Sequence, residues 1–376
     1  MNAAAVRFLL GLAAVAFAAA GRLNAEAAVR VPPSRPAPLS TTLFGGTEYV
    51  SATDIAIRLG LKGTWTEPMH KLTLADKTSK VELKADNRDI VVNGLRVFLG
   101  DKTVLQRGQL YVSRIDFERC LTPLLRPGFG VELPPTPKII ALDPGHGGLD
   151  EGTENKTVGL KEKLLTLDVA LRLRKLLEAA GYKVVMIRTD DQPLSPIKPV
   201  DLALRPEFAN RARADLFISI HFNAAPKDTR GTEVFTYAPK TQHSADWWGL
   251  LKKDDADVEA TEQPANRLDH WNVVFAQALQ RELLQALQTE DRGKKIAHWA
   301  VLKTLNCPGV LVEPAIISND AEARRVAVPE FRQQIAEALL AGVRDYAAML
   351  EALRPAEAKP PGTVTPQAAP QPAISK

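Results

Sequence analysis

The sequence predicts an α/β chain: a twisted, mostly parallel sheet flanked by helices on both faces, preceded by a small α+β domain. Three features point to it. From Lys138 onward, short apolar runs alternate with longer amphipathic stretches. Before Lys138, a Tyr-Val-Ser pattern leading into a helix-like stretch occurs twice. Two Pro-rich stretches, at 29–40 and 134–137, bracket that earlier segment. A chain of 376 residues has the length of about two domains.

The elements follow in chain order. Arg7 precedes an apolar run of 13 residues at 8–20, with small residues after it. This is the pattern of a secretory signal peptide, assigned here to 1–25, with a linker at 26–40. The run is shorter than the roughly 17–25 residues that span a bilayer. We therefore expect an exported protein of the periplasm or cell envelope, with no stable membrane insertion after cleavage. In the small domain, 41–133, Gly46-Thr47-Glu48-Tyr49-Val50-Ser51 leads into a helix at 52–59, and Gly108-Gln109-Leu110-Tyr111-Val112-Ser113 into one at 114–121. Between them, strands are expected at 71–74, 80–83 and 90–92, the last ending in an Asn93-Gly94 turn.

In the larger domain, 138–352, strands are expected at 139–142, 184–187, 216–220, 233–237, 300–302 and 310–312. Helices are expected at 160–180, 202–214, 272–288 and 331–350. The remainder, 353–376, is rich in Pro and Ala and reads as a disordered tail.

Composition excludes several functions. Lys+Arg 48 against Asp+Glu 44 leaves a net charge of +4, too balanced for the basic face that nucleic-acid binding needs. Only two cysteines, Cys120 and Cys307, are present, so any metal is held by His and carboxylates. The two thiols fall in different segments and are expected to stay unpaired.

Four side chains fall where strands end. His146 lies in the Gly-rich turn Asp143-Pro144-Gly145-His146-Gly147-Gly148 after the first strand of the larger domain, and Glu162 starts the following helix. His221 and Glu313 each directly follow a strand. All four are therefore expected at the carboxyl edge of the sheet, where open α/β sheets bind ligands. Two His and one Glu make a catalytic zinc set with a fourth position open, and a second Glu at that edge can act as general base. The same turn read as a phosphate loop lacks the Lys-Ser/Thr of a P-loop and the G-x-G-x-x-G spacing. His70 stands alone, and His243, His270 and His298 have no ligand spacing, so all four are expected to be structural.

These motifs are specific. The stretch 140–148, then Gly159-Leu160-Lys161-Glu162-Lys163, Ala209-Asn210, Ser219-Ile220-His221-Phe222-Asn223-Ala224, Gly231-Thr232-Glu233-Val234, Asp291-Arg292-Gly293 and Val310-Leu311-Val312-Glu313 resemble the zinc-dependent N-acetylmuramoyl-L-alanine amidases of the amidase-3 family. The resemblance implies that His146, Glu162 and His221 bind Zn2+ and that Glu313 is catalytic. It assigns Asn223 and Arg292 to substrate contact. The implied reaction is hydrolysis of the amide between muramic acid and L-alanine of peptidoglycan, in wall remodelling or daughter-cell separation, with a protein activator as a candidate partner. The same ligands would also serve a zinc peptidase of the stem peptide, and a wall-binding protein with a vestigial site is the non-catalytic alternative.

The segment 41–133 resembles the copper-amine-oxidase N-terminal-like module appended to secreted cell-wall proteins. Two features depart from the amidase pattern. Pro314-Ala315-Ile316-Ile317 follows Glu313 where a Gly-Phe pair is common. A polar insert at 238–270 carries Trp247-Trp248 and an acidic run; it reads as a solvated excursion, with a lid or regulatory segment near the metal as the alternative.

Overall fold

Strands that alternate apolar residues toward two covered faces account for the centre of the molecule. The computed structural model describes residues 38–245 and 259–355. The expected signal peptide, most of the linker and nearly all of the tail lie outside the described residues. The first segment contains β1 (Thr42–Phe44), β2 (Thr47–Ser51), α1 (Ala52–Leu59), β3 (Lys62–Glu67), β4 (Lys71–Ala75), β5 (Lys80–Lys84), β6 (Asp89–Val92), β7 (Leu95–Phe98), β8 (Val104–Gln106) and β9 (Gln109–Ser113). It closes with α2 (Arg114–Asp116), a π turn (Phe117–Leu121) and α3 (Thr122–Leu125). Both helices that follow Tyr-Val-Ser start where they do because Ser51 and Ser113 cap them, each accepting the amide of the residue three positions on.

The second segment contains β10 (Ile139–Pro144), β11 (Glu154–Asn155), β12 (Leu160–Lys161), α4 (Glu162–Ala179), β13 (Lys183–Met186), α5 (Lys198–Arg211), β14 (Leu216–Ile220) and β15 (Thr232–Tyr237). After these come α6 (Asp269–Leu287), β16 (Asp291–Ala297), α7 (Ala300–Lys303), β17 (Gly309–Glu313), α8 (Asp320–Ala327) and α9 (Pro329–Leu353). Strands β13, β10, β14 and β17 are parallel neighbours in that order. Ile140, Leu142, Ile218, Val310 and Val312 pack on α4, α6 and α9 through Val169, Leu279 and Leu339. Ala141, Phe217 and Leu311 point the other way, toward Ala209 of α5 and Val301 of α7. Alternation with both faces buried is what turns these strands into near-continuous apolar runs.

One expectation fails. The strand expected at 300–302 is the short helix α7, and the real strand is β16, Asp291-Arg292-Gly293-Lys294-Lys295-Ile296-Ala297. Its charged residues read as solvated, yet Arg292, Lys294 and Lys295 are all buried. Topology also sets where the flanks of the polar insert lie. β15 runs antiparallel to β17, with Glu233 opposite Glu313, so the chain leaving β15 at Tyr237 exits at the edge away from Glu313. The described flanks stay there: Ala238 and Ala245 donate to Ala297 O at 3.1 Å and Ile296 O at 2.9 Å, and Glu259 pairs with Lys303 at 2.5 Å. Trp247, Trp248, Asp254, Asp255 and Asp257 of the insert lie outside the described residues.

The two segments share one sheet. β16 pairs with β7 in parallel, and the sheet continues through β6, β5, β4 and β3. The Arg96 amide donates to Asp291 Oδ2 at 2.8 Å. Gly293 permits the approach of β7, since a Cβ there would lie 2.8 Å from the Phe98 ring. Arg119 reaches across to Asp269 and Glu262, both at 2.6 Å. Val50, Ile55, Leu83, Val97 and Phe117 belong to the same apolar cluster as α6 and α9. The Pro134–Pro137 stretch is itself pinned, its Pro134 carbonyl accepting from Arg354 at 2.7 Å.

Cys120 and Cys307 are both free and buried. Burial pushes their thiols up to about 11 and about 12 respectively. Neither is expected to react with a maleimide in the folded protein at neutral pH, since the thiolate is the reactive form. Intact mass before and after denaturation checks this: two adducts should appear only once the chain is unfolded.

Candidate metal centre

The site is built where three parallel strands end. β10 delivers the turn that carries His146, β14 ends at Ile220 with His221 next, and β17 ends in Glu313. Ile220 is in register with Val312, so His221 and Glu313 follow paired residues on strands about 4.8 Å apart. Glu162 is the first residue of α4, and the short β11–β12 hairpin before it sets its position: its amide donates to Thr153 O at 3.0 Å.

Three donor atoms converge. His146 Nε2 and His221 Nδ1 each lie 3.0 Å from Glu162 Oε1, and the three ligand atoms are all within 4.8 Å of one another. The imidazoles meet edge to face, with centroids 4.9 Å apart. Two close approaches explain glycines that the motif carries. A Cβ on Gly145 would fall 2.3 Å from the His221 ring, and one on Gly152 2.6 Å from Glu162 Oε2 and 2.7 Å from His146 Cδ2.

The donors are oriented from behind. His146 Nδ1 faces Asp150 Oδ2 at 3.1 Å, and Lys198 holds the same carboxylate at 3.0 Å. Glu162 Oε2 accepts the Thr153 amide at 2.7 Å, and Oε1 accepts the Phe222 amide at 3.0 Å. Burial alone would raise the Glu162 carboxyl, but the two imidazoles outweigh it and hold it far below the usual carboxylate range. Two imidazole nitrogens and an ionised carboxylate oxygen, with His146 and Glu162 each backed by a further polar contact, form a donor set that suits Zn2+.

Glu313 stands apart in chemistry. It is 5% exposed, and its Oε2 has no hydrogen-bond partner among the described residues. Burial, then the charges of Glu162 and Glu233, push its carboxyl well above the usual value, with Lys295 opposing. A carboxyl with that affinity for a proton beside a metal-binding cluster is equipped to take and return one. The segment after it, where Gly-Phe is common, forms an apolar wall of Ala315, Ile316 and Ile317, all buried. Buried Glu322 ties that wall in place by accepting the Ile316 amide at 2.7 Å and the Gly231 amide at 3.1 Å.

Asn223 and Arg292, which the family resemblance assigns to substrate contact, are half-buried and buried respectively. Both engage Glu233: Asn223 Nδ2 donates to Oε1, and Arg292 Nε lies 3.3 Å from Oε2. Lys295 Nζ joins at 2.5 Å. Glu233 and Lys295 are completely or almost completely buried, so this is an internal ion cluster under Glu313. A motif match locates a residue along the chain, whereas the partners of its side chain depend on β15 and β16 lying side by side. Glu233 and Lys295, together with Asp150, Arg188 and Arg205, are site residues that the sequence reading missed. Only the Gly-Thr-Glu run hinted at one of them.

Comparison with known proteins shows the family. A family model described as N-acetylmuramoyl-L-alanine amidase matches residues 140–345, and one described as copper amine oxidase N-terminal domain matches residues 35–119. A cell wall amidase of Bacillus anthracis is 35% identical over 211 residues, 56% of this chain and 35% of that protein. The N-acetylmuramoyl-L-alanine amidase AmiC of Escherichia coli is 35% identical over 227 residues, 56% of this chain and 53% of that protein. The germination-specific N-acetylmuramoyl-L-alanine amidase of Bacillus subtilis is 31% identical over 224 residues, 57% of this chain and 81% of that protein. The chain thus spans about a third to a half of the length of the first two relatives. With the amidase model covering more than half of its residues, the chain belongs to the N-acetylmuramoyl-L-alanine amidase family.

Proposed function

We propose that this chain is a zinc-dependent amidase of peptidoglycan, hydrolysing the bond between the lactyl group of muramic acid and L-alanine. The observation that carries the reading is the convergence of His146 Nε2, His221 Nδ1 and Glu162 Oε1 beside the buried, partnerless Oε2 of Glu313. A zinc ion held by the three donors would supply Lewis acidity, polarising an amide carbonyl and acidifying a water. The remaining work falls to the chain. Glu313 takes a proton from the attacking water as its oxygen bonds to the carbonyl carbon. The same proton then goes to the alanine nitrogen as the C–N bond breaks, leaving a lactyl carboxylic acid, which loses its remaining proton to solvent, and a peptide with L-alanine at its amino end. Asp150 holds the His146 ring with Nε2 toward the site.

The reading places the enzyme outside the cytoplasm, consistent with the signal-like first 25 residues; among the described residues no helix is long and apolar enough to cross a membrane. Incubating the mature protein with purified peptidoglycan, with and without chelator, tests it. Mass spectrometry should find released peptides beginning with L-alanine, lost on chelation and restored by Zn2+. Peptides beginning further along the stem would replace the amidase reading with a stem-peptide peptidase.

A further inference from the structure

We propose that Arg188 and Arg205 are positioning residues that hold the metal ligands in register, with the proposal resting on the reading of His146, Glu162 and His221 as ligands. The turn bearing His146 needs such support. His146 has a φ of 63°, a left-handed conformation that non-glycine residues adopt only where the surroundings enforce it. Every main-chain carbonyl from Pro144 to His146 ends on one of the two guanidinium groups. Pro144 O accepts from Arg188 Nε at 2.9 Å and Arg205 Nη1 at 3.0 Å. Gly145 O accepts from Arg188 Nη2 at 2.8 Å, and His146 O from Arg205 Nη2 at 2.8 Å.

Each arginine also reaches a second ligand-bearing element. Arg188 Nη2 donates to Lys163 O at 2.8 Å and to Thr166 Oγ1 at 3.1 Å, both in the first turns of the helix that Glu162 begins. Thr166 Oγ1 itself donates to Gly145 O at 2.9 Å. Arg205 pairs with Asp143 at 2.7 Å, and the other oxygen of Asp143 accepts from Ser219 at 2.8 Å, two residues before His221. One arginine therefore joins the His146 turn to Glu162, and the other joins it to the strand of His221.

The residue type fits the task. The two side chains are 5% and 2% exposed, and a buried cation is costly unless its geometry is well satisfied. Arg205 has Asp143 and Asp201 beside it, but the hydrogen-bond partners of Arg188 are carbonyl and hydroxyl oxygens. Only the planar fork of an arginine addresses several carbonyls in fixed directions at once, and a lysine supplies a single point charge.

The test is metal affinity of the full mature protein, prepared metal-free and titrated with Co2+ against a chromogenic chelator, with the visible Co2+ spectrum recorded. Arg188→Lys should bind Co2+ about 10–100-fold more weakly, the range for changes behind a metal ligand, and with an altered spectrum. Thr166→Val, which keeps size and removes one donor to Gly145 O, should weaken binding in the same direction by less. If Arg188→Lys proves unfolded by circular dichroism, Thr166→Val decides. Folded variants that bind within about twofold of wild type, with an unchanged spectrum, overturn the proposal. A wild-type protein that binds no Co2+ overturns the ligand reading itself, so the two failures are distinguishable.

Discussion

Glu313→Gln is expected to lower kcat on peptidoglycan by about 10²–10⁴-fold, the usual contribution of a positioned general base, while metal content stays that of the wild type. The substitution keeps size and one hydrogen-bonding oxygen, and Glu313 is not among the converging donors. Stability should move in the opposite direction to activity. The folded-state carboxyl titrates well above its ordinary value of 4.5, so its contribution to stability is fully present below that pH and is lost as the pH rises toward the folded value. At neutral pH the metal-free Gln variant, which has no carboxylate to bury, should therefore unfold at the same temperature as wild type or higher. Turnover on purified peptidoglycan, zinc content and a thermal melt check the three parts. Normal turnover in a folded, zinc-loaded Glu313→Gln protein would remove Glu313 from the mechanism.

Glu233→Ala is expected to be the most destabilising single change at the site, costing about 3–5 kcal/mol, as breaking a buried ion pair does. Glu233 is the acceptor shared by Lys295, Arg292 and Asn223, and truncation withdraws that carboxylate while both cations stay inside. Burial already pushes the Lys295 ammonium below its ordinary value, with Glu233 the main opposing influence, so the variant makes the charged form costlier still. The melting temperature should fall by about 10 °C. Glu233→Gln, which keeps one acceptor oxygen but no charge, should fall between. A melt of Glu233→Ala within about 2 °C of wild type would show that the cluster relaxes at no cost.

Glu233 also lies opposite Glu313 in the β15–β17 pairing, and its charge is one of the influences that raise Glu313. The ion cluster therefore bears on chemistry as well as on folding.

By itself the sequence determined the elements whose physics is local or periodic. The Ser-capped helix Ala52–Leu59 and the strand Leu216–Ile220 lie where capping and apolar runs place them. The approach of His146, Glu162 and His221 was also legible, because a residue directly after a parallel strand, or at the start of the following helix, must stand at the carboxyl edge. What was not legible shares one property: it depends on which elements become neighbours. β16 is a strand built largely from charged residues, and only the adjacent β15, with Glu233 at its start, makes their burial tolerable. One antiparallel junction, β15 against β17, sends the flanks of the polar insert to the edge away from His146, Glu162 and His221. The parallel pairing of β7 with β16 merges into one sheet two segments that proline-rich runs seemed to divide. Arg188, just after a strand, and Arg205, within a helix, look like ordinary surface charges until the fold closes over them. A buried charge and a solvated one are spelled with the same residue, and tertiary contacts decide between them because the cost of desolvation is met by a partner from elsewhere in the chain.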